Sequence, residues 1–119
     1  MAIIAVDFDN TLVDSEDGDV FPVPGAAESL RRLRQEGHRI IIHTCRTGIA
    51  SAQGELSDEI KFIEQCLQKF GMEYDEIYIG EKLVAHIYID DRAVAFEGDW
   101  RETLQKTMAK SRLWHRKAG

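Results

Sequence analysis

Two uninterrupted apolar runs, Ile3-Ile4-Ala5-Val6 and Ile40-Ile41-Ile42, constrain the fold of this chain most tightly. A strand with one wet face alternates apolar and polar side chains, and these runs do not. Each therefore reads as a strand buried on both faces, the pattern of a parallel sheet covered by helices. Ile77–Ile79 and Ala85–Ile89 are a third and a fourth strand, and Val94–Phe96 is a candidate fifth.

The segments between these strands carry helical spacing. Ala27, Leu30 and Leu33 share one face of a helix, with Arg31, Arg32, Arg34 and Gln35 elsewhere. Pro24 suits its first turn and Gly37 its stop. Ile60, Ile63, Leu67 and Phe70 define a second helix, with Ser57 as cap, Asp58 and Glu59 in the first turn, and Gly71 at the end. Asp99 with Glu102 forms a capping box for a last helix near 100–112. Residues 12–21 are acidic and without sustained period, so a loop or small flap is expected there. Strands alternating with helices predict a three-layer α/β/α sandwich around a mainly parallel, Rossmann-like sheet. At 119 residues, the chain is expected to form one domain over 1–119.

Charge narrows the partners. The formal net charge is −6, but residues 1–100 hold 20 acids against 9 Lys/Arg, whereas the stretch 101–119 holds 1 against 6. An acidic body with a short basic end suits nucleic acid poorly, because phosphate contacts need clustered cations. The basic end reads as a solvated helix terminus. Cys45 and Cys66 lack metal-type spacing, and Cys66 falls in a helix as a small core residue. The opening apolar run lacks a basic flank and is short for a signal sequence, and no stretch reaches membrane-spanning length. A soluble, cytoplasmic protein is the expectation.

In parallel sheets, ligands bind beyond the carboxyl ends of the strands. After the first strand come Asp7, Asp9 and Thr11, and after the second come Thr44, Cys45 and Arg46. Lys82 lies between strands three and four, and Asp90, Asp91 and Arg92 follow the fourth. In extended chain, Asp7 and Asp9 point the same way, roughly 6.6 Å apart. Carboxylates converging there repel by several kcal/mol at ~4 Å and intermediate dielectric. A hard divalent cation, with Lys82 and Arg46, would offset that charge, and magnesium suits a few carboxylates, waters and a phosphate oxygen. A carboxylate in such a site can attack phosphorus, while a second carboxyl protonates the leaving oxygen and later activates water.

The segment Asp7-Phe8-Asp9-Asn10-Thr11-Leu12 after an apolar strand resembles the first motif of the haloacid dehalogenase superfamily. Ile41-Ile42-His43-Thr44-Cys45-Arg46 resembles its second motif, Lys82 fits the lysine of the third, and Ile87-Tyr88-Ile89-Asp90-Asp91 resembles the fourth. The four matches come in order over about the first hundred residues. The resemblance implies Asp7 as nucleophile and Asp9 as general acid/base. It implies magnesium held by Asp7, the Asp9 main-chain carbonyl and Asp90, with Asp91 acting through water. Thr44 and Lys82 would grip the phosphoryl group. Beside the resemblance, Thr11 and Cys45 are candidate substrate contacts, and Arg46 and Arg92 either contact substrate phosphate or pair with a neighbouring acid. An acid at position 9 is the mark of the phosphatases and phosphomutases of this superfamily. Neither the 9–44 nor the 44–82 stretch has room for a cap domain, so a capless member with an open mouth is expected.

Other readings of single residues are weaker. A cysteine phosphatase needs Arg six positions after its nucleophile, and Ser51 stands there relative to Cys45. Asp14, Glu16, Asp17 and Asp19 do not match a calcium loop, which needs Gly where Asp19 lies and Glu where Gly25 lies. His38, His43, His86 and His115 show no ligand spacing, and Trp100 and Trp114 read as packing for the last helix. The expected activity is hydrolysis of a small phosphorylated metabolite. A polynucleotide 3′-phosphatase is the enzymatic rival, and a non-catalytic phosphate-binding module the rival of another class. An open site also leaves room for a homo-oligomer that shares a lid.

Overall fold

The computed structural model describes residues 1–44, 56–80 and 83–118, with the side chains of the last helix up to Arg112. Strand β1 (Ile3–Asp7) leads into a hairpin of β2 (Val13–Glu16) and β3 (Asp19–Pro22). Helix α1 (Ala26–Gln35) then returns the chain to β4 (Arg39–His43). Helix α2 (Leu56–Lys69), the short strands β5 (Glu76–Ile77) and β6 (Ile87–Ile89), and helix α3 (Trp100–Ala118) follow.

The fold is α/β, with a parallel Rossmann-like sheet in the order β5-β4-β1-β6, as the unbroken apolar runs require. Ile4 pairs with Ile40 on one side and Ile87 on the other, and Val6 with Ile42 and Ile89. Period-two geometry then sends Ile4, Val6, Ile40 and Ile42 to one face, where they meet Leu30 of α1 and Ile63, Cys66 and Leu67 of α2. Ala5 and Ile41, on the other face, are buried as well. Both middle strands are thus dry on both sides.

Both helix stops are Schellman turns. The Gly37 amide donates to Arg34 and the His38 amide to Leu33, with Gly37 at φ +89°. Gly71 and Met72 repeat the pattern on Gln68 and Leu67, and Met72 seats itself in the core. Asp99 caps α3 through Oδ1, which accepts from the Arg101 and Glu102 amides at 2.9 and 3.5 Å. The capping acid is the one expected, but Glu102 pairs with Lys106, and the helix continues to Ala118 rather than ending near 112.

Several boundaries differ from the sequence expectation. The acidic 12–21 segment, expected as a loop or small flap, is a two-stranded hairpin turning on Asp17 (φ +52°) and Gly18 (φ +85°). An Asp-Gly pair is a strong hairpin signal, and local turn chemistry outweighed the absent alternation. Pro24 lies ahead of α1, whose N-cap is Gly25, and Ser57 lies within α2 rather than before it. The third strand is Glu76–Ile77 and the fourth Ile87–Ile89, while Val94–Phe96 forms no strand. Short edge strands lack a second neighbour to extend them. Trp100 is exposed, so the packing role expected of it is not observed. Cys45, Arg46 and Lys82 fall outside the described residues. Among those described, no helix is long and apolar enough to cross a membrane.

Asp75 ties three elements together at the far end of the sheet. Its Oδ2 accepts from the Ile40 amide at 2.7 Å, its own amide donates to the Ile40 carbonyl, and Arg34 donates to Oδ1 at 3.0 Å. Burial alone would raise the Asp75 pKa, but the Ile40 amide and Arg34 outweigh it and hold the carboxyl below 3.8. Asp75→Ala leaves the amide of fully buried Ile40 without its side-chain acceptor, at a cost of about 1–3 kcal/mol. A carboxyl with a depressed folded pKa contributes stability above its unfolded pKa and loses it as pH falls. Urea denaturation should therefore show the full gap between native chain and variant above about pH 4, closing in stronger acid.

Candidate active site

The chain leaves β1 toward β4 on one side, while β6 occupies the other. Parallel sheets place their ligand crevice at such a switch point, beyond the carboxyl ends of the strands. Asp7 is the last residue of β1, paired in register with His43 of β4. Asp90 and Asp91 follow β6 immediately after the Val6–Ile89 pair. Adjacent strands thus deliver three acids to one edge. One ligand oxygen from each of Asp7, Asp90 and Asp91 lies within 4.8 Å of the others.

Local turns aim these side chains. After β1, the Leu12 and Val13 amides both donate to the Phe8 carbonyl, and the Asn10 amide donates to Val13. Asn10 sits at φ +63°, a region that Asn enters more readily than most residues. The tight turn folds Thr11 back, so that its hydroxyl stands 3.4 Å from Asp7 Oδ2. On the opposite strand end, Asp90 Oδ1 accepts from the Arg92 amide at 2.6 Å, an Asx turn that fixes the path through Asp91. Thr44, buried at the end of β4, directs its hydroxyl to Asp9 Oδ2 at 3.5 Å. Both hydroxyl contacts are longer than an ordinary O–H···O bond. The Asp9 carboxylate therefore points to Thr44 and is not one of the three clustered acids.

Burial, above all, pushes the Asp7 carboxyl up from 3.8 to about 7. The hydrogen bond with Asp91 and the charges of Asp90 and Asp91 add to it, and the Phe8 backbone pulls the other way. Like charges held this close cannot all ionise without a compensating cation. Asp91 Oδ1 is buried and has no hydrogen-bond partner among the described residues. An orphaned carboxylate oxygen in a three-acid cluster fits an oxygen-seeking divalent cation.

Sequence reading found no ligand spacing at His43. Its ring packs edge-on against Tyr88 at 6.3 Å, and its Nε2 is buried without a hydrogen-bond partner among the described residues. The available signal was register, since position 43 lies opposite position 7 once the first two strands pair in parallel. Histidine spacing along the chain could not reveal that neighbour.

Asp7 binds its proton more tightly folded than unfolded, so its contribution to stability is complete below about pH 4 and lost as pH rises through 7. In EDTA, the native chain should melt progressively lower between about pH 4 and pH 8, and Asp7→Asn should flatten that slope. Calorimetry finding equal slopes for the two proteins would contradict the assignment.

No protein-family model and no curated protein matches the chain. Solved structures do. A conserved protein from Bacteroides thetaiotaomicron is 29% identical, with TM-score 0.55, over 92% of this chain and 91% of that one. A target protein from Vibrio cholerae, known from its crystal structure, is 30% identical, with TM-score 0.57, over 92% of this chain and 99% of that one. Neither is named for an activity. A D,D-heptose 1,7-bisphosphate phosphatase from B. bronchiseptica, crystallised with magnesium and phosphate, is 20% identical over 66% of this chain and 49% of that one. Its TM-score of 0.41 is too low to carry an argument. By its end-to-end likeness, the chain belongs to the same family as the Vibrio cholerae protein.

Proposed function

We propose that this chain is a magnesium-dependent phosphomonoester hydrolase of the haloacid dehalogenase type, with Asp7 as its nucleophile. The observation that carries the reading is the cluster of Asp7, Asp90 and Asp91 at the switch point, with the buried Asp91 Oδ1 lacking a hydrogen-bond partner among the described residues. The motifs at 7–12, 41–46, 82 and 87–91 are the second support.

In this reading Asp7, Asp90 and Asp91 hold the ion, together with the Asp9 main-chain carbonyl. When bound, the divalent cation supplies the positive charge that lets Asp7 ionise at neutral pH and offsets the charge of the phosphate. The Asp7 carboxylate attacks phosphorus, and the bond to the leaving oxygen breaks with its electron pair. Asp9 hands its proton to that oxygen, leaving an aspartyl-phosphate on Asp7. Asp9 then takes a proton from water as the water oxygen attacks phosphorus, which frees inorganic phosphate and restores the Asp7 carboxylate. Thr44 and Lys82 steady the phosphoryl oxygens, and the Thr44 hydroxyl stands 3.5 Å from Asp9 Oδ2. Thr11, Cys45 and Arg46 are the further substrate contacts of the proposal. A capless site, as the short 9–44 and 44–82 stretches lead one to expect, would leave the choice of leaving group to the rim of the mouth.

Phosphate release from a panel of phosphorylated metabolites is the test. EDTA should abolish turnover and magnesium restore it. Asp7→Asn should lower kcat by at least about 10³-fold, and Asp9→Asn should slow both chemical steps. Turnover in EDTA, or an unimpaired Asp7→Asn, would overturn the mechanism. Activity confined to 3′-phosphorylated oligonucleotides would move the substrate class to nucleic-acid ends.

A further inference from the structure

Helix α3 carries an apolar stripe that is exposed among the described residues. Trp100, Leu104 and Met108 recur every four residues on one face and are 73%, 57% and 49% exposed. Phe96 stacks on Trp100 at 5.2 Å and is itself 55% exposed. Elsewhere on the molecule lies an open apolar cleft of about 340 Å³. Its walls are Val6 and Ile89 of the sheet, Leu12 and Val23 at the base of the hairpin, and Ser29 and Leu33 of α1.

The charges around the two features are opposite. Asp14, Glu16, Asp17 and Asp19 rise from the hairpin whose base lines the cleft, Glu28 adjoins Ser29, and Asp90 adjoins Ile89. The stretch 101–119 carries six Lys/Arg and one acid, with Arg101, Lys106 and Arg112 exposed on α3. Lys106 is already paired with Glu97 and Glu102, yet the helix keeps a net positive charge.

We infer that two copies of this chain associate reciprocally, each seating the α3 stripe in the other's apolar cleft. The two surfaces are distinct patches on one chain, and a two-fold axis lets each copy use both at once. An amphipathic helix laid in an apolar groove is an established mode of docking. The four stripe side chains offer on the order of 400 Å² of surface per copy, so two reciprocal dockings take on the order of 800 Å² of the helices out of water. The matching charges also favour this occupant over an acidic partner, which the hairpin would repel.

Sedimentation equilibrium on the full chain should give a dimer that weakens as salt rises. Leu104→Glu removes the stripe and Ser29→Lys obstructs the cleft. Both positions are exposed in the single chain, and each change should weaken association by on the order of thirtyfold or more. Circular dichroism matching the native chain qualifies each variant, with Met108→Glu replacing Leu104→Glu if that one misfolds. Mixing the two variants should raise association above that of either variant alone, because one native stripe then meets one native cleft. A native chain that stays monomeric, a dimer indifferent to Ser29→Lys, or a mixture no more associated than either variant alone would overturn the inference. None of these readouts depends on phosphatase activity, so they stand apart from the chemistry proposed for Asp7.

Discussion

Strand β1 is hydrogen-bonded in parallel on both of its edges, to β4 and to β6. That pairing satisfies its backbone only inside a sheet, and the buried sheet in turn demands apolar side chains on both faces from Ile3 to Val6. The first residue free of that demand is Asp7, where the strand ends. His43 and Asp90 occupy the same position on the neighbouring strands for the same reason. The site lies where two dry strands and the half-open β6 run out at one level, and polar chemistry begins where the core stops.

Electrostatics sets the second constraint. Asp7, Asp90 and Asp91 are closer than three free carboxylates would choose, and the raised Asp7 pKa records the cost. The Asx turn at Asp90 and the left-handed Asn10 hold the acids in place against that repulsion. A fold does not maintain such crowding for stability, since a raised carboxyl pKa weakens it at neutral pH. Crowded acids at a switch point are the arrangement the proposed function would use, and a cation is the simplest means of relieving them.

Much of this was legible in the sequence because it depends on local pattern. Unbroken apolar runs announced β1 and β4, and the spacing of Leu30, Leu33, Ile63 and Leu67 announced the two helices that cover them. Asp7 and Asp90 could be placed together because strand ends share a level. What escaped depends on pairing or on turn chemistry. The Asp17-Gly18 hairpin was hidden by strands whose outward residues are nearly all acidic or exposed. His43 became a neighbour of Asp7 only through register. The exposure of Trp100 and the half-open β6 edge could not be read from residue type, because apolar character says what prefers burial and not what covers it.

The central claim is that Asp7 becomes covalently phosphorylated during turnover. Acid quenching of the protein with magnesium and a turned-over phosphate monoester, followed by peptide mass spectrometry, examines it directly. The account predicts a phosphoryl group on the peptide that holds Asp7, absent from Asp7→Asn and accumulating in Asp9→Asn. Turnover without any phosphorylated peptide, or with the label on another residue, would contradict it.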